Sequence, residues 1–402
     1  MVKHDPNRTR SKKSVKMILP SENPVLAVFE ILARGQLVSQ GIFIVAKLRI
    51  PDYLSDGGKS VDELANITKT NPNALYRLLR MLASVGIFRE TTKVGAGLEQ
   101  DEQNTVRRFD LTPAASLLLS ETTNSVREFA LLFGLDSFNR ATTNLLHAIE
   151  TGENSFKYAN GLDLFEYFKQ KQNKTEAEVF DNAMNCLNLS YVSTIFTLYD
   201  FSQFKTILDI GGGEGVFLST ILKKNPNQLG ILFDMPNVIQ RAKKKYWTSA
   251  AKPFDDHNNS LYSRCKLVKG NFFKTIPTGA DCNIIKNVIL NWDDESAALI
   301  LKNCLHAMKM TSLTNLYRPG TQRSHPKLLI IETIMPEGNA PFFGKFTDIL
   351  MLILTRGGRL RTEAELIKLL SSCGFDIVSI TKPPDNVSFL SIVEAIPSEE
   401  QR

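Results

Sequence analysis

Thr206-Ile-Leu-Asp-Ile-Gly-Gly-Gly-Glu-Gly-Val-Phe-Leu-Ser-Thr-Ile-Leu222 is the stretch that decides the fold. An apolar run with β-branched residues, Ile207 to Ile210, meets a glycine cluster, and a helical pattern starts at Val216. Strand, tight turn and helix in that order suit a backbone that passes close to a ligand, where a Cβ would be in the way. The glycines fall as Gly211-x-Gly213-x-Gly215 and position 216 is Val, so the spacing is not the Gly-x-Gly-x-x-Gly of nicotinamide binders. A second apolar run, Gly230-Ile-Leu-Phe, ends in Asp234, an acid placed to accept hydrogen bonds from a ribose diol.

Downstream of Lys205 the pattern alternates between strand and helix. Strands are expected at 206–210, 230–233, 266–269, 281–287, 327–334, 376–380 and 388–394, with helices at 216–224, 236–245, 293–309 and 362–372. Such alternation predicts an α/β domain at 201–402: a doubly wound, Rossmann-like, mostly parallel sheet with ligands at the carboxyl ends of its strands. Met310 to Pro326 is polar and contains Pro and Gly, so it reads as an exposed insertion.

Upstream, apolar residues recur at helical spacing from Asn23 to Leu48, and Pro51 stops the run. Ser60 precedes Glu63 by three residues, the capping-box spacing. A further helix, Ala74 to Val85, carries Leu75, Leu78, Leu79 and Leu82 on one face and ends at Gly86. Short strands at Ile87–Arg89 and Arg108–Thr112 flank a polar loop, which predicts a helical winged-helix domain at 21–120. A DNA-binding regulator would use the 74–85 helix, but Arg77 and Arg80 are thin basic content for contacting several phosphates. Between the domains, 121–200 reads as a helical connector with helices at 126–135, 138–150, 162–170 and 175–199. The last carries Phe180, Met184, Leu187 and Tyr191 on a face that could roof a pocket.

The 402 residues suit two domains. Six basic residues against Asp5 in the first 20 supply +5 of the net +6, so that segment reads as a disordered basic tail. The rest is too balanced for a broad phosphate-binding face, which argues against nucleic acid as a partner. No 18-residue apolar run stands out for a membrane span, which argues against a membrane. The five cysteines are scattered and odd in number, which suits a reduced, cytoplasmic protein, and neither cysteines nor histidines are spaced as a metal site.

The chain from about Val25 to Ala395 resembles the S-adenosylmethionine-dependent small-molecule O-methyltransferases of the caffeic-acid, hydroxyindole and bacterial polyketide type. Seven stretches carry the resemblance in the family's order: Arg77 to Phe88, Asp209 to Gly215, Phe233-Asp-Met-Pro236, Gly270-Asn-Phe-Phe273, Trp292-Asp-Asp-Glu295, Ile331-Glu-Thr333 and Gly357-Gly-Arg-Leu-Arg-Thr362. The resemblance implies an N-terminal domain that forms a homodimer and a C-terminal methyltransferase domain. It further implies that Gly211 and Gly213 approach the methionine part of S-adenosylmethionine and that Asp234 holds the ribose. Asn271 and Phe272 would flank the adenine, where the family more often has Asp at 271, and Lys286 would lie near the methionine end. Phe180, Met184, Asn287 and Asn291 would line the pocket for a small aromatic acceptor.

The catalytic positions of the resemblance do not carry over. The family's histidine base, two residues before the Trp of Trp292-Asp-Asp-Glu295, is Leu290 here. Of the two glutamates that steer that histidine, one matches Glu332 and the other is Leu360. Loss of the base removes the reason for a carboxylate beside it, and an unpaired buried carboxylate is costly, so the two leucines make sense together. Three readings follow: methyl transfer by proximity and desolvation to an acidic hydroxyl, S-adenosylmethionine binding with other chemistry or another base, and a cofactor-binding dimer without catalysis. His147 could stand in as base, although its helical pattern favours a packing role.

Overall fold

The computed structural model describes residues 23–94, 105–122, 125–245, 247, 261–316, 325–384 and 389–399. The basic tail at 1–20 lies outside them. By contact density the chain divides into two units, Met1–Ala114 and Ala115–Arg402.

In the first unit, the Pro24–Lys47 helix opens with the Asn23 side chain accepting from the Val25 amide. The Val61–Thr68 helix opens with the expected capping box: the Ser60 hydroxyl accepts from the Glu63 amide at 3.2 Å, and the Ser60 amide donates back to Glu63 at 2.6 Å. The Pro72–Ser84 helix buries Leu75, Leu79 and Leu82 and leaves Arg77 and Arg80 exposed. These helices pack with a small antiparallel sheet of β1 (Lys59–Ser60), β2 (Phe88–Val94) and β3 (Thr105–Leu111) in the order β1-β3-β2. The sheet is larger than the two short strands expected. Thr91 to Val94 continue β2 because each pairs with a residue of β3, and two-residue β1 is too short to show a period.

The expectation that no 18-residue apolar run stands out needs correction: by length and composition the Pro24–Lys47 helix could cross a membrane, its most apolar 18 residues having a mean hydropathy of 1.4. Glu30 and Arg34 interrupt the apolar run in the sequence, but one helical turn apart they pair at 3.3 Å. Val25, Leu26, Val28, Phe29, Ile31 and Leu32 are all exposed within this unit.

The second unit is built on a seven-stranded sheet: β4 (Thr206–Ile210), β5 (Leu229–Asp234), β6 (Cys265–Lys269), β7 (Cys282–Lys286), β8 (Lys327–Thr333), β9 (Phe375–Thr381) and β10 (Leu390–Pro397). Their order is β6-β5-β4-β7-β8-β10-β9, parallel except for β10, which runs antiparallel to both neighbours. Ile207, Leu232, Ile284 and Ile331 point into a core shared with Ile195, Phe217, Leu218 and Ile239. Leu208, Ile210, Ile285 and Ile330 point the other way, against Ile300, Leu301, Leu366 and Leu370. Central strands buried on both faces explain the near-continuous apolar runs in the sequence.

All seven expected strands are present. The expected insertion is only partly one, because the Asp294–Leu316 helix runs on through Met310 to Leu316. Thr311 and Thr314 hydrogen-bond back to carbonyls of the preceding turn at 2.8–3.0 Å, so polar side chains sit there at little cost. Residues 317–324 lie outside the described set. A Gly344–Leu354 helix, absent from the sequence reading, is apolar on most sides and gives no clear period. The connector is more broken than expected. Phe138–Glu150 is two helices, Asp136–Thr143 and Leu145–Thr151, divided at Asn144, and Ser155–Asn160 adds another. Phe138, Phe156, Leu164 and Phe168 form a core there with Ile353 and Leu354.

Candidate functional site

Strand order reverses between β4 and β7, which lie side by side although β5 and β6 separate them in the chain. In open α/β sheets ligands bind in the crevice outside such a switch point. Here the crevice lies between the glycine turn after β4 and residues 287–288 after β7. Gly211, Gly213 and Gly215 have φ of +70°, +60° and +81°, a region that side chains avoid. A Cβ on Gly211 would meet Val288 Cγ2 at 2.8 Å, and one on Gly215 would meet Leu232 and Trp247. A Cβ on Gly213 would meet nothing within 4 Å, so this glycine faces open space at the crevice.

Asp234 closes β5 beside that turn. Its Oδ2 accepts from the Gly213 amide at 2.8 Å and its Oδ1 from the Met235 amide at 2.6 Å. Burial raises its pKa, and these two amides and Arg241 oppose the rise. Each carboxylate oxygen keeps a lone pair, an acceptor set that fits a ribose diol.

Beneath the turn, Asp209 is buried and its Oδ2 has no hydrogen-bond partner. Lys286, also buried, donates to Asn188 and lies 5.6 Å from the Phe217 ring centre. Burial pushes Asp209 up to about 7 against the pull of Lys286, and pushes Lys286 down to about 8 against Asp209 and Glu332. An orphaned buried oxygen at the glycine turn fits a ligand that brings its own donor, as the ammonium of a methionine moiety does.

Sequence reasoning missed what holds this turn. Glu214 is buried, and its Oε2 accepts from Asn185 Nδ2 at 2.6 Å and Lys245 Nζ at 3.1 Å. The Trp247 indole donates to its carbonyl at 2.8 Å. The Lys174–Leu198 helix is thereby tied to the turn. Glu214 was readable as a polar residue among glycines, but its partners lie 29 and 31 positions away.

After β7, Asn287 adopts φ +52° and Ile289–Asn291 form a single 3-10 turn. The Asn291 side-chain amide donates to the Asn287 carbonyl at 2.9 Å and so stiffens this turn. Leu290 is buried within it, and Leu360 is buried with its amide on Asp348 Oδ1 at 2.7 Å. Glu332 Oε1 accepts from the Val288 and Leu290 amides, both at 3.1 Å. Burial raises Glu332 to about 7, opposed by the Leu290 amide and Arg361. The carboxylate thus serves backbone donors of the very turn in which Leu290 sits.

An aromatic wall runs beside this turn. Phe180 lies 4.9 Å from Phe168 and 6.4 Å from Phe165, and Phe165 stacks on Trp292 at 6.0 Å. Trp292 in turn meets Phe273 edge-on at 4.7 Å and Phe272 at 6.1 Å. Met184 packs in the same helical core as Phe180. Phe165 and Phe168 were missed in the sequence, although their spacing of three on a short helix was the signal. Asn271 is exposed, and its Oδ1 already accepts from the Phe273 amide at 2.9 Å, while Asn303 fixes the Phe272 carbonyl at 2.8 Å. His147 stacks on exposed Tyr158 at 4.0 Å, the packing role its pattern suggested.

Residues 143–376 match the family model of an O-methyltransferase domain, and 30–121 match that of an O-methyltransferase dimerisation domain. Phenazine O-methyltransferase PhzM of Lysobacter antibioticus is 35% identical over 93% of this chain and 97% of its own length. The crystal structure of CalO1, a methyltransferase of calicheamicin biosynthesis in its SAH-bound form, superposes with a TM-score of 0.71 at 28% identity. It covers 93% of this chain and 98% of that one. One relative carries a different activity in its name: Aclacinomycin 10-hydroxylase RdmB of Streptomyces purpurascens, 29% identical over 86% of this chain and 83% of its own length.

Proposed function

This chain belongs to the S-adenosylmethionine-dependent O-methyltransferase family, and we propose that it methylates a hydroxyl of a small aromatic or polyketide-like metabolite without a protein base. The observation that carries this reading is the pair Leu290 and Leu360, both buried, with Glu332 committed to the amides of Val288 and Leu290. Bound S-adenosylmethionine supplies an electrophilic methyl group on a positively charged sulfur.

Asp234 holds the ribose, the glycine turn at Gly211 and Gly213 lies against the methionine end together with Asp209 and Lys286, and Phe272 with Asn271 flanks the adenine. Phe180, Met184, Phe165 and Trp292 hold a planar acceptor and exclude water, with Asn287 and Asn291 shaping the pocket floor. Alignment of this kind is worth up to about 7–11 kcal/mol of barrier. A general base typically contributes a further 10²–10⁴-fold, roughly, and an acidic phenol that arrives ionised offsets its absence. The acceptor's proton leaves to water.

Two chains act as a homodimer through the first unit, which is supported by the match to a dimerisation domain and by the exposed apolar face of Pro24–Lys47. The dimerisation-domain match favours a partner helix as the cover for that apolar face. The five unpaired thiols suit a cytoplasmic enzyme. A second reading, S-adenosylmethionine binding coupled to chemistry other than methyl transfer, is favoured by the relative named as a hydroxylase.

Calorimetry with S-adenosylmethionine tests the cofactor site: the wild-type protein binds and Asp234→Ala does not. Normal binding by that variant would sink the assignment. For the base-free reaction, the rate of methyl transfer follows the acceptor's own ionisation as pH rises. A plateau at a pKa shared by acceptors of different acidity would instead reveal an enzyme base. Oxidised product without methyl transfer would establish the second reading.

A further inference from the structure

The turn from Val288 to Trp292 is held from two sides by buried side chains of opposite charge. From β8, Glu332 accepts the amides of Val288 and Leu290. Against it, Arg361 donates through Nη1 to the Ile289 carbonyl at 3.2 Å and through Nη2 to the Trp292 carbonyl at 2.9 Å. Its Nε donates to Asp294 Oδ1 at 2.8 Å, and Asp294 Oδ2 also accepts from Arg359 at 2.9 Å. Arg361 is only 4% exposed. Two carbonyls and a carboxylate converge on one planar fork of donors, a set that the single ammonium of lysine does not match.

The residue held most directly is Trp292. Its ring touches Phe165 on the acceptor side and Phe272 and Phe273 on the side read as adenine-flanking. We propose that Arg361 is a positioning residue for the transfer: through the Ile289 and Trp292 carbonyls it sets the indole that forms the common wall of the cofactor and acceptor sites. Without a base, alignment is the chain's main contribution, and a misplacement of about 1 Å costs on the order of a hundredfold in rate. The inference rests on the proposed function for the identity of the ligand and for the absence of a protein base.

The chain contains two tryptophans, Trp247 and Trp292, so labelling with 5-fluorotryptophan yields two ¹⁹F resonances, assigned with Trp292→Phe. S-adenosylhomocysteine shifts the Trp292 resonance of the wild-type protein. Arg361→Lys, and the milder Asp294→Asn at an exposed partner, displace the Trp292 resonance before ligand is added and weaken its response to ligand. In both variants the Trp247 resonance stays at its ligand-free wild-type position. A Trp292 resonance identical to wild type in both variants would overturn the proposal. So would equal displacement of both tryptophans in Asp294→Asn, which would assign Arg361 to general stability. Calorimetric failure of S-adenosylhomocysteine to bind the wild type would refute the cofactor reading instead, and the ligand-free displacement would still decide the role of Arg361.

Discussion

Glu332→Gln separates a carboxylate kept for the backbone from one kept for a base. The side chain is 6% exposed, and burial raises its pKa from the ordinary 4.5 to about 7. The folded protein therefore holds this proton more tightly than the unfolded chain does. By linkage, stability falls as pH rises from about 4.5 to about 7 and is level beyond. At about 1.4 kcal/mol per pH unit, the whole interval is worth roughly 3 kcal/mol, of which roughly 2 lies between pH 5 and pH 8. Gln has nearly the same shape, stays neutral, and offers the same carbonyl oxygen to the Val288 and Leu290 amides. Denaturant unfolding of both proteins at pH 5 and pH 8 measures the difference. The stability of Glu332→Gln relative to wild type improves by roughly 2 kcal/mol at the higher pH, on the order of 5 °C in melting temperature. A difference independent of pH would refute the reasoning. Methyl transfer by Glu332→Gln stays within severalfold of wild type, whereas a carboxylate steering a base would make the change cost on the order of a hundredfold or more.

Gly213→Ala folds, because its Cβ meets nothing within 4 Å and only the positive φ costs about 1–2 kcal/mol. It loses affinity for S-adenosylhomocysteine at least about tenfold because that space belongs to the cofactor, and undiminished calorimetric affinity would move the cofactor elsewhere. In sedimentation the protein runs at twice its 45.0 kDa chain mass, and Phe29→Asp with Leu32→Asp shifts it to the monomer. A variant that stays dimeric would place the interface away from the Pro24–Lys47 helix.

Features coded by neighbours in the chain were legible in the sequence. The glycine turn announced itself because positive φ and close packing demand glycine at adjacent positions, as Gly211 and Gly215 confirm. The strands of the sheet were legible because burial on both faces writes continuous apolar runs, and the Ser60–Glu63 capping box because its partners are three residues apart. Elements without a period were not legible: two-residue β1, the all-round apolar Gly344–Leu354 helix, and the end of the Asp294–Leu316 helix, whose hydroxyls bond back to their own turn.

By itself the sequence determined the doubly wound class, the glycine turn at Gly211 to Gly215, the acid at Asp234, and the leucines at Leu290 and Leu360, where the family resemblance leads one to expect a histidine and a glutamate. Tertiary structure alone decided what Glu332 holds. Its partners are backbone amides 42 and 44 positions away, and the Arg361 clamp on the same turn spans 69 and 72. Hydrogen bonds to the main chain leave no signature in the partner's residue type. The burial that makes them matter exists only once β7, β8 and the turn before the Asp294–Leu316 helix have closed together.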